Sequence, residues 1–344
     1  SFPFIGWKRH KNVSFQSYGG VFMYYRAEQI LSAYPNEFTG NMKGRGSILC
    51  TDRAGIYLLK EYRGSVSRLE LLDEVLKSLK ANEFLAEELV RTSEGAPCYT
   101  DIDGMTYFLR KTYQGRECDT KNAQELLYVT KHLARLHQLL GGWQPQAETP
   151  LLSAAEDYAG KHTRELKKVR NYVRAKKKKN AFESEFLKSY EHYMAQAEQV
   201  LQLSAQAEVP VGALRLCHGD FNQHNLIFTR DGLAVTGFDK LHYDLCVSDL
   251  TNFVRKILEK HNWNSGLGMD MIMAYNSVRE LESWELKQLY LRLLYPEKDW
   301  KIVNHYYNAR KTWVSQRDIE KLQRIFEQET KREEFLSMLF YLVK

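Results

Sequence analysis

The strongest constraint in this 344-residue chain is an octet, His218-Gly219-Asp220-Phe221-Asn222-Gln223-His224-Asn225, set between two β-type runs, Leu214–Cys217 and Leu226–Thr229. Fourteen residues past Asn225, after a turn at Arg230-Asp231-Gly232 and the run Leu233–Phe238, stands Asp239. Phosphoryl transfer from a nucleotide asks for such a set. It needs little covalent help, one carboxylate to orient and deprotonate an acceptor hydroxyl, and oxygen ligands to hold Mg²⁺ on the phosphates. The H-x-D-x-x-x-x-N spacing assigns Asp220 as the acceptor-orienting base and Asn225 as a metal ligand. The hairpin return brings Asp239 opposite Asn225 as the second metal ligand. His218 braces the loop through hydrogen bonds, and His224 is either a solvated loop residue or a substrate contact. These two histidines have no third partner at the spacing of a tetrahedral metal site.

A phosphate-contacting lysine is expected on a strand that follows a glycine-bearing hairpin. Gly40-Asn41-Met42-Lys43-Gly44-Arg45-Gly46 precedes the run Ser47–Thr51, the turn Asp52–Gly55 and the run Ile56–Lys60, so Lys60, at the strand end, is the candidate. The segment does not match G-x-G-x-x-G; Gly44 and Gly46 are candidate backbone contacts to the nucleotide. Leu69, Leu72, Leu76 and Leu79 predict a helix starting near Ser65 or Ser67. Its acids Glu70 and Glu74 point away from the leucine stripe while Asp73 flanks it, and the partner that orients Lys60 stays open among them. A short helix over Ala27–Tyr34 and strands near Glu88–Thr92 and Thr106–Lys111 complete the first third.

From Asn122 the pattern is helical: Leu126, Val129, Leu133, Leu136 and Leu140 mark one helix, Phe182, Phe186, Tyr190, Tyr193, Ala197 and Val200 another. Ser248–Lys344 is again helical and aromatic-rich. The expected class is α+β and bilobal. Residues 1–112 form a small β-rich N-terminal lobe for the nucleotide, and 113–344 a large helical lobe with the catalytic loop and acceptor site.

Composition narrows the class further. At 44% hydrophobic and 27% charged residues the chain suits a globular protein. No apolar run approaches eighteen residues, so no membrane span is expected, and no signal peptide is visible at the start. Five scattered cysteines without a CxxC pair point to a reducing cytosol. The net charge of +6 is concentrated in residues 161–179, which hold ten basic side chains against one acid, Glu165. Leu166, Val169, Tyr172 and Val173 recur there at helical spacing, so the charges coat an amphipathic helix. It is either a solvated face or a docking patch for an anionic partner or substrate. No recognition motif accompanies the lysines, so no nucleic-acid partner is expected.

The octet with Phe238-Asp239 resembles the aminoglycoside phosphotransferase and choline kinase superfamily, in which Gly replaces the Arg of protein-kinase HRD loops. Only ten residues separate Asp239 from Asp249, too few for a protein-kinase activation segment, and no A-P-E follows. Ser248-Asp249-Leu250 looks like the superfamily's helix-opening Asp-Leu pair, with Asp249 as a structural cap for the catalytic loop. Leu294-Tyr295-Pro296-Glu297-Lys298-Asp299-Trp300, His305-Tyr306-Tyr307 and Lys311-Thr312-Trp313 look like the CotS family of bacterial spore coat proteins. The resemblance covers about residues 25 to 340; the first 20 match nothing comparable.

The resemblance implies a protein kinase-like fold and an ATP- and Mg²⁺-dependent phosphotransferase. The acceptor would be an alcohol group on a small molecule or a coat protein. It also implies synthesis in the mother-cell cytoplasm, deposition in the spore coat and other coat proteins as partners. The presence of Lys60, Asp220, Asn225 and Asp239 favours real chemistry over the alternative, a non-catalytic pseudokinase that serves as a coat component. An antibiotic-modifying enzyme is disfavoured, because cationic drugs want an acidic surface and segment 161–179 is basic.

Overall fold

The computed structural model describes residues 26–44, 46–143, 158–308 and 315–343. The first 25 residues, Arg45 of the glycine segment and the Lys311-Thr312-Trp313 motif lie outside them.

Turn chemistry builds the N-terminal sheet. Asp52 Oδ1 accepts from the N–H groups of Ala54 and Gly55 at 2.7 and 2.8 Å, the self-capping an aspartate gives a tight turn. It fixes β2 (Ile48–Asp52) antiparallel to β3 (Gly55–Tyr62), with Cys50 opposite Tyr57. β1 (Gly40–Lys43) pairs on the other edge of β2. The full order is β1-β2-β3-β6-β4, where β4 is Glu88–Val90 and β6 is Thr106–Thr112; β5 (Tyr99–Thr100) pairs with β6. Cys50, Tyr57, Leu59 and Leu109 bury one face against Ile30 and Leu31 of a short helix α1 (26–31). β3 continues to Tyr62, so Lys60 sits inside the strand rather than at its end.

The C-terminal part is helical, as its periodicity predicts. α2 (Val66–Ala81) is capped by Ser65, whose side chain accepts from the Arg68 N–H, and it buries the predicted leucines. α3 (Ala123–Leu140) is capped by Asn122 and has its whole leucine stripe fully buried. α4 (Tyr158–Ala175) and α5 (Ala181–Ser204) share a core in which Leu166 and Val173 meet Phe182, Phe186, Tyr190 and Met194. α6 (Val247–Leu258), α7 (Ser265–Asn276), α8 (Ser283–Leu294), α9 (Glu297–Asn308), α10 (Gln316–Glu327) and α11 (Glu329–Val343) follow. Among the described residues no helix is long and apolar enough to cross a membrane.

The basic segment covers the wet face of α4 and the turn after it, and three of its charges meet acids of α5: Lys167 with Glu198, Arg174 with Glu191, Lys176 with Glu183. Tyr172, expected on the buried stripe, is exposed.

The chain divides into two units, but not at one point in the sequence. Leu89–Lys111 groups with the described residues up to Gly64, whereas Ser65–Glu88 groups with Thr112 onward. The expected division near 112 coincides with the boundary after Lys111, while Ser65–Glu88 groups with the second unit. The physical reason lies in the segment after α2. Val235 N–H donates to the Leu85 carbonyl and Glu87 N–H to the Val235 carbonyl, at 2.8 and 3.2 Å. The Tyr113 hydroxyl donates to the Ala86 carbonyl at 2.9 Å.

One buried acid makes stability depend on pH. Asp299, in the first turn of α9, is 2% exposed and its Oδ1 has no hydrogen-bond partner among the described residues. Burial, then the nearby Glu329 charge, pushes its carboxyl up to about 7. The folded protein thus holds a proton that the unfolded chain releases near pH 4, and stability from this group is lost as pH rises from about 4 through 7. Asp299→Asn should raise stability by about 1–2 kcal/mol at pH 8 and confer little at pH 4. Urea denaturation at the two pH values checks this; an equal effect at both would contradict it.

Candidate active site

Strands fix both ends of the octet. β8 (Arg215–Cys217) leads in and pairs with β11 (His242–Asp244), His242 opposite Cys217. β9 (Leu226–Phe228) leads out and pairs with β10 (Leu233–Val235), Leu226 opposite Val235, while β7 (Arg116–Glu117) flanks β9. The expected hairpin return exists, but β10 stops at Val235 instead of running to Phe238. Gly237 has φ +83° and turns the chain into one turn of 3-10 helix, Phe238–Lys240.

Two buried phenylalanines anchor the loop. Phe221 meets Phe253 edge-on at 5.3 Å, and Phe238 packs on the His218 ring at 4.5 Å. His218 is fully buried. Its Nδ1 lies 3.1 Å from the Asp220 N–H and accepts that bond, so Nε2 carries the proton and donates to the Thr236 carbonyl at 3.0 Å. Burial pushes its pKa down and keeps the ring neutral. With the Nδ1 lone pair taken, the ring is a brace, as its sequence position suggests.

Asp249, in the first turn of α6, is 1% exposed and ties the loop to the helix. Its Oδ2 accepts from the His218 N–H at 2.7 Å and its Oδ1 from the Gly219 N–H at 2.9 Å. Burial alone would raise its pKa; the His137 hydrogen bond, the His137 charge and the Gly219 N–H hold it below the usual carboxylate range. His137 stands 3.2 Å from Asp249 through Nε2 and 2.6 Å from the Tyr275 hydroxyl through Nδ1. Cys217 and Cys246 approach the same ring, but both its nitrogens are already committed.

Two glycines make the turns possible. Gly219 has φ +78°, and a Cβ there would stand 2.2 Å from the Lys240 carbonyl oxygen. This is the physical reason that glycine occupies the place of the arginine in protein-kinase loops. A Cβ on Gly237 would fall 2.5–2.7 Å from the carboxamide atoms of Asn225. Asn225 Nδ2 donates to the Asp220 carbonyl at 2.9 Å, which leaves Oδ1 as its atom for a cation. Thr236 N–H donates to the Asn225 carbonyl at 2.9 Å.

The 3-10 turn that carries Asp239 is gripped from α2 and from the segment behind it. Arg68 donates to the carbonyls of Asp239 and Leu241 at 3.2 and 3.0 Å, and Glu87 accepts from the Phe238 N–H at 2.9 Å. Asp220 is surrounded by donors: Lys240 Nζ at 3.1 Å, Asn222 Nδ2 at 3.0 Å and Lys256 Nζ at 3.6 Å. Burial would raise its pKa, but the Lys240 hydrogen bond, the Lys240 and Lys256 charges and the Asn222 amide hold it below the ordinary value.

Of the six residues singled out from sequence, Asp220, Asn225 and Asp239 come together in the second unit, in one loop and the turn beside it. Lys60, half-buried on β3, and Gly44 and Gly46 after β1 belong to the first unit. Gly44 N–H donates to the Ser47 carbonyl at 2.8 Å and Gly46 has φ +68°. Asp73 is buried and pairs with Lys77 at 2.8 Å. His224 is paired rather than merely solvated, with Nδ1 2.6 Å from Glu117. Sequence reasoning passed over Arg68, Glu87, Lys240 and Lys256. Two had a visible signal: Lys240 directly follows Asp239, and Lys256 lies seven residues, two helical turns, after Asp249 on α6.

The strand–loop–strand site, the antiparallel sheet and the helical part define a kinase-like phosphotransferase fold. An aminoglycoside phosphotransferase from Alicyclobacillus acidocaldarius shares it at TM-score 0.76, with 19% identity over 92% of this chain and 96% of that one. The amicoumacin kinase hAmiN, described in complex with AMP-PNP, Ca²⁺ and Ami, shares it at TM-score 0.63 and 15% identity, covering 92% of this chain and 94% of its own. A choline/ethanolamine kinase family protein from Mesorhizobium loti gives 0.57 and 14%, with 93% and 99% covered. Within that fold, residues 28–339 match the family described as "Spore coat putative kinase YutH". The chain belongs to that family of CotS-like spore coat kinases.

Gly219→Ala should cost about 2 kcal/mol or more, because both the positive φ and the carbonyl contact forbid a Cβ. Gly142→Ala, where a Cβ meets nothing within 4 Å, should stay within about 0.5 kcal/mol of the parent. Chemical denaturation compares them; equal stabilities would mean the loop is not held as described.

Proposed function

We propose that the protein transfers the γ-phosphoryl group of Mg-ATP to an alcohol, on a small molecule or a coat protein, in association with the spore coat. The observation that carries this reading is the loop itself: an Asp220 carboxyl held among Lys240, Lys256 and Asn222, an Asn225 whose carboxamide is locked with one oxygen left over, and Asp239 on the turn beside it. Synthesis in the mother cell and assembly beside other coat proteins are inferred from the family name.

A divalent cation fits this donor set. Asn225 and Asp239 offer hard oxygen ligands, and Gly237 leaves a cradle against the Asn225 carboxamide that a Cβ would fill. When bound, Mg²⁺ would neutralise charge on the nucleotide phosphates. The complex of hAmiN with AMP-PNP and Ca²⁺ supports such a pair here. Lys60, Gly44 and Gly46 keep their sequence-based assignment as nucleotide contacts.

Asp220 would accept the hydrogen bond of the acceptor hydroxyl and take its proton as the new P–O bond forms. Lys240 and Lys256 keep its carboxyl ionised and therefore free to accept. A carboxylate this acidic is a weak base, which suits a loose transition state that demands little deprotonation of the nucleophile before transfer.

Asp220→Asn should lower kcat by about 10²–10⁴-fold while Mg-ATP affinity changes less than about threefold. Turnover is read first as slow ATP hydrolysis, then with candidate alcohols. Full turnover in the variant would mean that another group is the base.

A further inference from the structure

Beside the catalytic loop lies a cavity of about 440 Å³, floored by residues 222–224. Its walls bring together Lys256 from α6 and Lys260 just past its end, Lys298 from α9, and Lys321 and Arg324 from α10. Its one lining acid is Glu259, already bound by Arg255 and by Lys298 at 2.8 Å. Lys321 shares a buried Asp318 at 2.8 Å, and His224 engages Glu117. Lys260 and Arg324 are exposed and add to the positive excess. The cavity is thus cationic.

Lys256 connects the cavity to the chemistry. It lines the cavity and its Nζ lies 3.6 Å from Asp220 Oδ1. Lys260 follows four residues later, just past the C-terminal end of α6. A molecule whose hydroxyl reached Asp220 would place the rest of its body among these ammonium and guanidinium groups. An amino alcohol would meet like charge there. Phosphate and carboxylate groups would be stabilised by it, and the volume is that of a small-molecule site rather than a protein groove.

Building on the phosphotransferase reading, we infer that the acceptor is a small anionic alcohol, a hydroxylated molecule that already carries a phosphate or carboxylate. The bond from the γ-phosphorus to the β,γ-bridging oxygen of ATP breaks and one to the acceptor hydroxyl oxygen forms. Asp220 takes the hydroxyl proton and releases it to solvent, and ADP leaves. The product carries one more anionic group than the acceptor.

The test assays the full chain with Mg-ATP against three panels: glycerol and inositol; ethanolamine and choline; glycerol 3-phosphate, glucose 6-phosphate and glycerate. Binding is read separately as the thermal shift given by glycerol 3-phosphate without nucleotide. The anionic panel should show kcat/KM at least tenfold above the other two, and its phosphate and carboxylate members tell which group is preferred. The double variant Lys260→Gln/Arg324→Gln, at two exposed positions, should lose at least tenfold in kcat/KM for those acceptors, mainly through KM, and lose the thermal shift. Preference for a neutral or cationic acceptor, transfer only to an acidic peptide, or a double variant equal to the parent would overturn the inference. If AMP-PNP binds in Mg²⁺ but anionic alcohols are not preferred, the anionic acceptor fails and the phosphotransferase stands. If no nucleotide binds while the glycerol 3-phosphate shift persists and is lost in the double variant, the phosphotransferase reading fails and a bare anion site remains.

Discussion

One buried carboxylate holds the site in shape. Asp249, at the opening of α6, takes the backbone N–H groups of His218 and Gly219, two donors that the loop's sharp path leaves without any strand partner. An unsatisfied buried N–H costs about 1–3 kcal/mol, so the loop and the helix are coupled by several kcal/mol of polar satisfaction. From that anchor the geometry propagates. Gly219 turns through a left-handed conformation, His218 spans to Thr236, and Asp220 is presented with its carbonyl holding the Asn225 amide. The apolar contacts of Phe221 and Phe238 supply cohesion, but the hydrogen bonds decide which atoms face outward.

Charge then sorts the roles of the carboxylates. Asp249 is buried among histidines and backbone donors and stays ionised as a structural acceptor. Asp220 is partly open and sits between Lys240 and Lys256, which hold its carboxyl below the ordinary range. Asp299, far along the chain, lacks such partners, and burial keeps it protonated. The three aspartates thus differ in protonation through burial and their neighbours. The cations beside Asp220 continue into the cavity next to it, so the field that lowers its pKa also biases what could bind there.

Much of this was legible in the sequence because its signals are local. The Asp52 turn, the leucine stripe of α2, the aromatic face of α5 and the H-x-D-x-x-x-x-N spacing each depend on residues within a few positions of one another. What escaped depends on distant partners. Arg68 reaches carbonyls 171 and 173 residues away, and Glu87 reaches an N–H 151 residues away. Those contacts are what move residues 65–88 out of the expected N-terminal lobe. The two-residue strands β5 and β7 are too short to show an alternation. β10 looked longer than it is because Thr236-Gly237-Phe238 fits a β pattern until the φ of Gly237 is known.

Calorimetric titration with AMP-PNP tests whether Asn225 and Asp239 form the proposed cation-dependent nucleotide site. Binding in the presence of Mg²⁺ should weaken at least tenfold in EDTA. Equal affinity in both, or no binding in either, would contradict it.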